Sequence, residues 1–316
     1  MSADPKLGLT DIAGSDDELP SPGAGLLVAT ADRVTPTAPR PAGGGVRARW
    51  RQFSPASKIG TIVFAIMLLA GLLAPLISPD DPLAQNLSQR LAGPSAQHLL
   101  GTDLVGRDVL SRLIFGSRSA FEGVAIAIVV TLIVGIPWGL AAGLGGRIAD
   151  ELLMRTADVV FSFPPLIFLI AVVSALGPSL VHGMVAVGVV GAPGIARLLR
   201  SAVLPIREAE YILVSRSLGA RRWRVAVRHI LPNAMAPVLV QTFATASILL
   251  IVEAGLGFLG LGIPPPAASW GQDLADAFLY FASNPWATTA PGVCIAIAAW
   301  SISSMGDGVR ESLTIR

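Results

Sequence analysis

Five stretches of this 316-residue chain contain no Asp, Glu, Lys or Arg: residues 59–79, 123–146, 159–196, 229–252 and 277–306. A helix needs ~20 mostly apolar residues to cross the ~30 Å hydrocarbon core of a bilayer, so each stretch can span one. The third is long enough for two passes, with a break at Ala175-Leu176-Gly177-Pro178-Ser179. The reading is six membrane helices, over residues 59–78, 121–145, 152–176, 180–203, 234–262 and 286–307. Only helices and closed barrels satisfy backbone hydrogen bonds in lipid, and these runs are too long and too continuously apolar for barrel strands. The fold class is therefore an all-α integral membrane protein. The Pro164-Pro165 pair predicts a kink or an unwound turn in the third helix. With 14% charged residues against the usual ~25%, a soluble enzyme is excluded.

The placement of the basic residues gives an orientation, because Lys and Arg near helix ends are retained on the cytoplasmic side. Six helices put both termini on one side. That side receives Arg47, Arg49, Arg51, Lys58, Arg147, Arg155, eight arginines from Arg197 to Arg228, Arg310 and Arg316, sixteen in all. The opposite loops receive Arg90, Arg107, Arg112 and Arg118, and the loop 263–285 has no basic residue while carrying Asp273 and Asp276. The expected topology is N-in, C-in. Trp50 and Trp223 inside, with Trp270 and Trp286 outside, fit interfacial belts, and the arginines imply topology rather than nucleic acid.

Residues 1–54 read as a disordered cytoplasmic tail, rich in proline and glycine, with Asp16-Asp17-Glu18 as an acidic cluster. No basic n-region runs into an apolar h-region, so the tail is not read as a signal peptide. Residues 55–78 then hold the first membrane helix, 79–120 an extracytoplasmic loop, and 121–316 a five-helix core. Cys294, the only cysteine, lies inside the sixth helix and reads as a structural thiol. His98, His182 and His229 are scattered along the chain and show no metal-ligand spacing. Neither lysine sits in a G-x-x-x-x-G-K-[ST] phosphate loop, so any ATP must be bound by another chain.

The richest segment is the long inner loop 200–233. After Pro205, residues 207–218 have helical spacing with Tyr211, Val214 and Leu218 on one side, and Gly219 supplies a C-cap or sharp turn. A second short helix is predicted from Ala220 to Leu231. Two readings are open on composition: a knob shaped for a partner's groove, or a solvated basic loop that serves topology.

Gly219, followed twelve and thirteen residues later by Leu231-Pro232, resembles the cytoplasmic loop of ATP-binding-cassette importer permeases. That family's loop usually carries Glu-Ala-Ala six to four residues before the glycine, where this chain has Leu213-Val214-Ser215. The ending Arg228-His229-Ile230-Leu231-Pro232-Asn233 resembles the peptide-transporter branch. Two further segments are similar to the C-type peptide and nickel permeases: Leu100-Gly101-Thr102-Asp103 with residues 106–113 (GRDVLSRL), and residues 253–262 (EAGLGFLGLG) with Pro265 and Ser269-Trp270-Gly271. Gly257 stands where that family usually has serine. The resemblance covers residues 55–316.

It implies a six-helix permease subunit of a type I importer in the cytoplasmic membrane of a bacterium. No cofactor is bound by such a chain; ATP and Mg belong to partner ATPases, either two subunits or one fused chain. The implied partners also include a homologous B-type permease, an extracytoplasmic substrate-binding protein and the lipid bilayer. The implied cargo is dipeptides or oligopeptides, with a nickel complex as the alternative. Coupling to the ATPases is implied for Arg207, Glu208, Tyr211, Arg216, Gly219, Ala220, Arg221 and Arg222. A docking ledge is implied for Gly101, Asp103, Arg107, Asp108 and Arg112.

Physical readings stand beside that resemblance. Residues 107–121 read as an amphipathic helix on the outer membrane surface, so the first outer loop is either a docking ledge or a structural lid. Gly135, Gly139 and Gly143 repeat at four-residue spacing, which permits close packing against a helix of this chain or of a partner. Asp158 is expected to pair with Arg155 at i,i+3. Glu253 is expected near the outer mouth, either lining the pathway or reaching water. Together with Phe258 and Trp270, these two acids are the candidates for the translocation pathway or its gate. A secondary transporter would show repeated halves, and none is evident; a membrane-embedded enzyme would need clustered His, Asp or Glu within the bilayer.

Overall fold

The computed structural model describes residues 50 and 52–314. The expected tail therefore lies almost wholly outside the described residues, as do Arg47, Arg49, Arg51 and Arg316. The described part is helical. Five helices are long and apolar enough to cross a membrane, and a sixth pass exists if one bent helix pair crosses as a unit.

Helix α1 (Pro55–Leu72) starts where the Ser54 hydroxyl accepts from the Ser57 amide and Pro55 occupies a position that needs no donor. A short turn, α2 (Ala74–Ile77), follows. The first outer helix and the second membrane helix are a single element, α3 (Val109–Leu144), 36 residues long. Asp108 caps it by accepting from the Ser111 amide at 2.7 Å. The predicted surface-lying amphipathic helix is thus corrected. Nothing in 109–121 breaks a helix, and its face is buried: Val109, Leu113 and Phe121 pack with Trp270. At ~1.5 Å per residue α3 measures about 54 Å, far more than a bilayer core, so one end projects beyond it.

The third predicted helix is broken as its two prolines suggest. It consists of α4 (Arg147–Ser162) and α5 (Pro165–Leu176), bent by 82°. Charged α4 is pinned from both sides: the Trp138 indole donates to the Leu153 carbonyl at 3.1 Å, and Arg200 forks onto Asp150, with one of the two bonds at 2.6 Å.

Helix α6 (Leu180–Arg207) packs along α3. Its approach settles the glycine question in favour of this chain. A Cβ on Gly135 would lie 2.8 Å from the Ala192 carbonyl oxygen, and one on Gly139 would lie 2.5 Å from that of Ala196. A Cβ on Gly143 would lie 2.7 Å from the Val203 side chain.

Beyond α6 lie α7 (Glu210–Ser217) and α8 (Arg222–Val225), then a π turn at Ala226–Ile230 that runs directly into α9 (Leu231–Phe258). The predicted second loop helix is therefore not a separate element. It is the first turns of the fifth membrane helix, because Pro232 falls in the opening turn of α9, where its missing donor costs nothing. The chain closes with α10 (Trp270–Phe278) and α11 (Pro285–Thr314), which packs on α1 and α9.

Three buried clusters run along the bundle. One joins the start of α3 to α10 and α11, a middle one joins α3, α5, α6 and α9, and a third gathers the far ends of α3 and α6 beneath α7 and α8. Outward-facing apolar residues such as Ile62, Ile66 and Leu69 of α1 remain uncovered, as lipid- or partner-facing surface requires.

Candidate functional site

The loop end of the bundle is built around Gly219. Helix α7 ends in a Schellman arrangement: the Gly219 amide donates to the Arg216 carbonyl at 3.0 Å, and the Ala220 amide to the Ser215 carbonyl at 3.2 Å. That closure needs a left-handed residue, and Gly219 has φ +79°. The turn splits the loop into an anchored and a free face. Ile212, Val225 and Ile230 are fully buried against Leu140, Leu199 and Val203. Tyr211, Val214 and Leu218, predicted to share one side, are all exposed, and Trp223 is 74% exposed. Glu208, Arg216, Arg221 and Arg222 are exposed as well, and Ala220 is half-buried. Arg207 is set apart from this surface: its guanidinium donates to the Gly143 carbonyl at 2.7 Å and ties α6 to the end of α3.

An exposed surface combining Tyr211, Val214, Leu218 and Trp223 with arginines is what a protein-binding knob requires. Trp223 was not among the expected contact residues; a lone tryptophan between arginines, Arg222-Trp223-Arg224, was the available signal.

The opposite end carries the 78–108 loop and the 259–284 loop. Their residues from the Gly-Thr-Asp and Gly-Arg-Asp segments are mostly inside. Gly101 and Gly106 have φ +77° and +78°, and a Cβ on Gly106 would collide with the Asn86 carbonyl. Asp103 accepts from the Val105 and Arg107 amides at 2.9 Å and pairs with the Arg107 guanidinium. Asp108 is buried at the head of α3. Arg112, 3% exposed, is the hub: it donates to Asp273 at 2.8 Å and to the carbonyls of Pro82, Pro266 and Ala267. Burial pushes the Asp273 carboxyl up to about 6, with Arg112 opposing that rise.

These five ledge residues are thus the internal frame of the ledge rather than its outer skin. Asn284, absent from the sequence expectation, belongs to the same frame, donating to the Thr102 carbonyl at 2.9 Å. An amide at the head of an apolar run was its only sequence signal.

The four gate candidates have four different settings. Trp270 is a core residue and not part of an interfacial belt: it is 1% exposed, donates to the Leu113 carbonyl at 2.8 Å and meets Phe121 edge-on. Phe258 is exposed and contacts Phe278. Asp158 does not pair with Arg155, which bonds Glu151 at i,i+4 instead; Asp158 reaches across to Arg197, whose guanidinium lies over the Phe161 ring. The bend after Ser162 swings α4 alongside α6 and offers Asp158 that partner. Glu253 lies inside the bundle. It is 3% exposed, packs at Gly123 of α3, and its Oε2 has no partner among the described residues.

Comparison with known proteins assigns the architecture. Residues 135–314 match the family described as binding-protein-dependent transport system inner membrane component, and residues 47–94 match the N-terminal TM domain of oligopeptide transport permease C. The dipeptide transport system permease protein DppC of Alkalihalophilus pseudofirmus is 37% identical over 255 residues, 81% of this chain and 84% of that protein. The di/tripeptide transport system permease protein DppC of Pseudomonas aeruginosa is 38% identical, over 84% of this chain and 90% of its own length. The oligopeptide transport system permease protein OppC of Bacillus subtilis is 36% identical, over 81% and 84%. A chain of the inward-facing MetNI methionine ABC transporter shares the fold, with a TM-score of 0.54 over 64% of this chain and 96% of that chain at 21% identity. The exposed loop, the framed ledge and these matches lead to one assignment: the chain belongs to the binding-protein-dependent inner membrane permeases, in the dipeptide and oligopeptide permease C branch.

Proposed function

We propose that this chain is one of two transmembrane subunits of a bacterial importer that moves dipeptides or oligopeptides inward, driven by ATP hydrolysis on separate subunits. The observation that carries the reading is the free face around Gly219, where Tyr211, Val214, Leu218 and Trp223 stand exposed among Arg216, Arg221 and Arg222. Apolar side chains have no reason to face water on a loop that only sets topology; a groove on an ATPase would cover them. In this reading the loop lies in the cytoplasm, both termini share that side, and the ledge faces outward toward a substrate-binding protein. Peptide cargo is supported by the relatives' names, which describe dipeptide, di/tripeptide and oligopeptide transport.

The mechanism follows from the anchoring. Ile212, Val225 and Ile230 bind the loop rigidly to the ends of α3 and α6, so displacement of the loop by closing ATPases moves those helices as a body. The tight glycine contact between α3 and α6 keeps the pair together while it tilts. Cargo and ATP then bias two global states of the bundle.

The direct test is purification from native membranes. Co-purification of a second permease and ATP-binding subunits, with ATP hydrolysis stimulated by peptide and binding protein, is the expected result. Recovery of this chain alone, transporting without ATP, would contradict it.

A further inference from the structure

The three histidines show no ligand spacing in sequence, yet the fold of the ledge gives one of them company. His98 Nδ1 lies 3.0 Å from Asp108 Oδ1 and 3.7 Å from Asp80 Oδ2, and the three atoms lie within 4.8 Å of one another. They come from three places: the start of the 78–108 loop, its middle, and the cap of α3.

The surrounding bonds aim these atoms. His98 Nε2 faces Gln89 Oε1 at 3.1 Å. That oxygen also accepts from Asn86 at 3.1 Å, and the Gln89 amide nitrogen donates to Gln97. With Gln89 Oε1 as acceptor, the tautomer protonated at Nε2 turns the Nδ1 lone pair toward the two carboxylates. Asp108 Oδ2 is occupied by the Ser111 amide and hydroxyl, both at 2.7 Å, which leaves Oδ1 to face His98. A histidine whose far nitrogen donates to a carbonyl, beside a carboxylate held by its other oxygen, is how metal ligands are oriented. In that tautomer three ligand atoms converge, one from each of Asp80, His98 and Asp108.

We propose that Asp80, His98 and Asp108 bind one divalent transition ion of the zinc class. Around tetrahedral zinc, with bonds of ~2.0–2.1 Å, neighbouring ligand atoms are separated by about 3.3 Å; the observed 3.0 and 3.7 Å bracket that value. Imidazole nitrogen selects against magnesium and calcium, which prefer all-oxygen shells. A polar cleft of about 440 Å³ adjoins the three residues, lined also by Asp81, Gln85 and Gln97, and admits water to the remaining coordination positions. The ion would staple the start of the loop to the first turn of α3, stiffening the ledge. This inference is independent of the transport reading.

The test uses the full-length chain without a histidine tag, in detergent, stripped with chelator and titrated with zinc chloride at pH 7. Elemental analysis and calorimetry should give one zinc per chain, with a rise in thermal midpoint. Asp80→Asn, at an exposed position, and His98→Gln should each weaken binding at least tenfold. Gln89→Ala, which frees the imidazole to rotate, should weaken it by about 10-fold or more. No zinc retained by the unaltered chain overturns the proposal. Binding unchanged in both Asp80→Asn and His98→Gln overturns it equally.

Discussion

Arg112 illustrates how much a single side chain organises at one end of the bundle. The sequence places it within a motif and on the outer side, and from that a contact role is the natural expectation. The fold instead buries it at 3% exposure, bound to Asp273 and to three carbonyls from two loops. No spacing rule predicts this, because Arg112 and Asp273 are 161 positions apart and meet only once α10 folds onto α3. Removal of one partner of a buried pair strands the other charge. Arg112→Met should therefore cost about 3–5 kcal/mol at pH 8, read as a drop in thermal midpoint. The loss should shrink at pH 5. The Asp273 carboxyl titrates at about 6 in the folded chain against 3.8 for the free group, so the folded state keeps its proton between those values. Stability present below 3.8 is lost as pH rises through the folded value, and loss of Arg112 raises that value further. An equal destabilisation at pH 5 and pH 8 would show that Arg112 acts through packing and not through the charge of Asp273.

Among the elements, the most legible was the apolar run and the least legible was where it stops. All six predicted membrane segments correspond to helices, and the Pro164-Pro165 break is present as an 82° bend. The ends differ for one reason. Hydropathy marks what lies in lipid, whereas helices continue until a breaker or an uncapped end stops them. Helix α3 thus begins twelve residues before the predicted 121, at the cap supplied by Asp108, and α9 runs back through the π turn into the loop. The glycine repeat was legible as a packing face, but its partner was not, because spacing on one helix carries no information about the other. The Ala192 and Ala196 carbonyls of α6 fill that role. Gly139→Ile forces a side chain into a carbonyl 2.5 Å from its Cβ position and should destabilise by about 1–3 kcal/mol or more. Gly292→Ala, inside α11 where a Cβ meets nothing within 4 Å, should be neutral or slightly stabilising in the same thermal assay. A similar midpoint for the two variants would contradict the close α3–α6 contact.

At the scale of the whole molecule, the bundle has two differently built ends. One end is a frame held by the inward-turned Asp103–Arg107 and Arg112–Asp273 pairs; the other offers a rigidly anchored knob whose apolar and basic side chains are turned out. Motifs in the sequence located both ends, since glycines and prolines at fixed offsets are local signals. They did not reveal which residues of a motif frame the structure and which remain free, because burial depends on contacts from distant segments. Asp108 and Arg112 became frame, while Trp223, outside the expected contact set, became surface. The central claim is that the knob transmits ATPase movement to the α3–α6 pair. It is tested most directly by measuring peptide uptake and ATP hydrolysis together in vesicles that contain the complete transporter, with Arg221 and Arg222 both replaced by Glu. These side chains are exposed, so insertion and folding should be unchanged. The account predicts that peptide taken up per ATP hydrolysed falls at least tenfold. An unchanged ratio, with uptake and peptide-stimulated hydrolysis both intact, would contradict it.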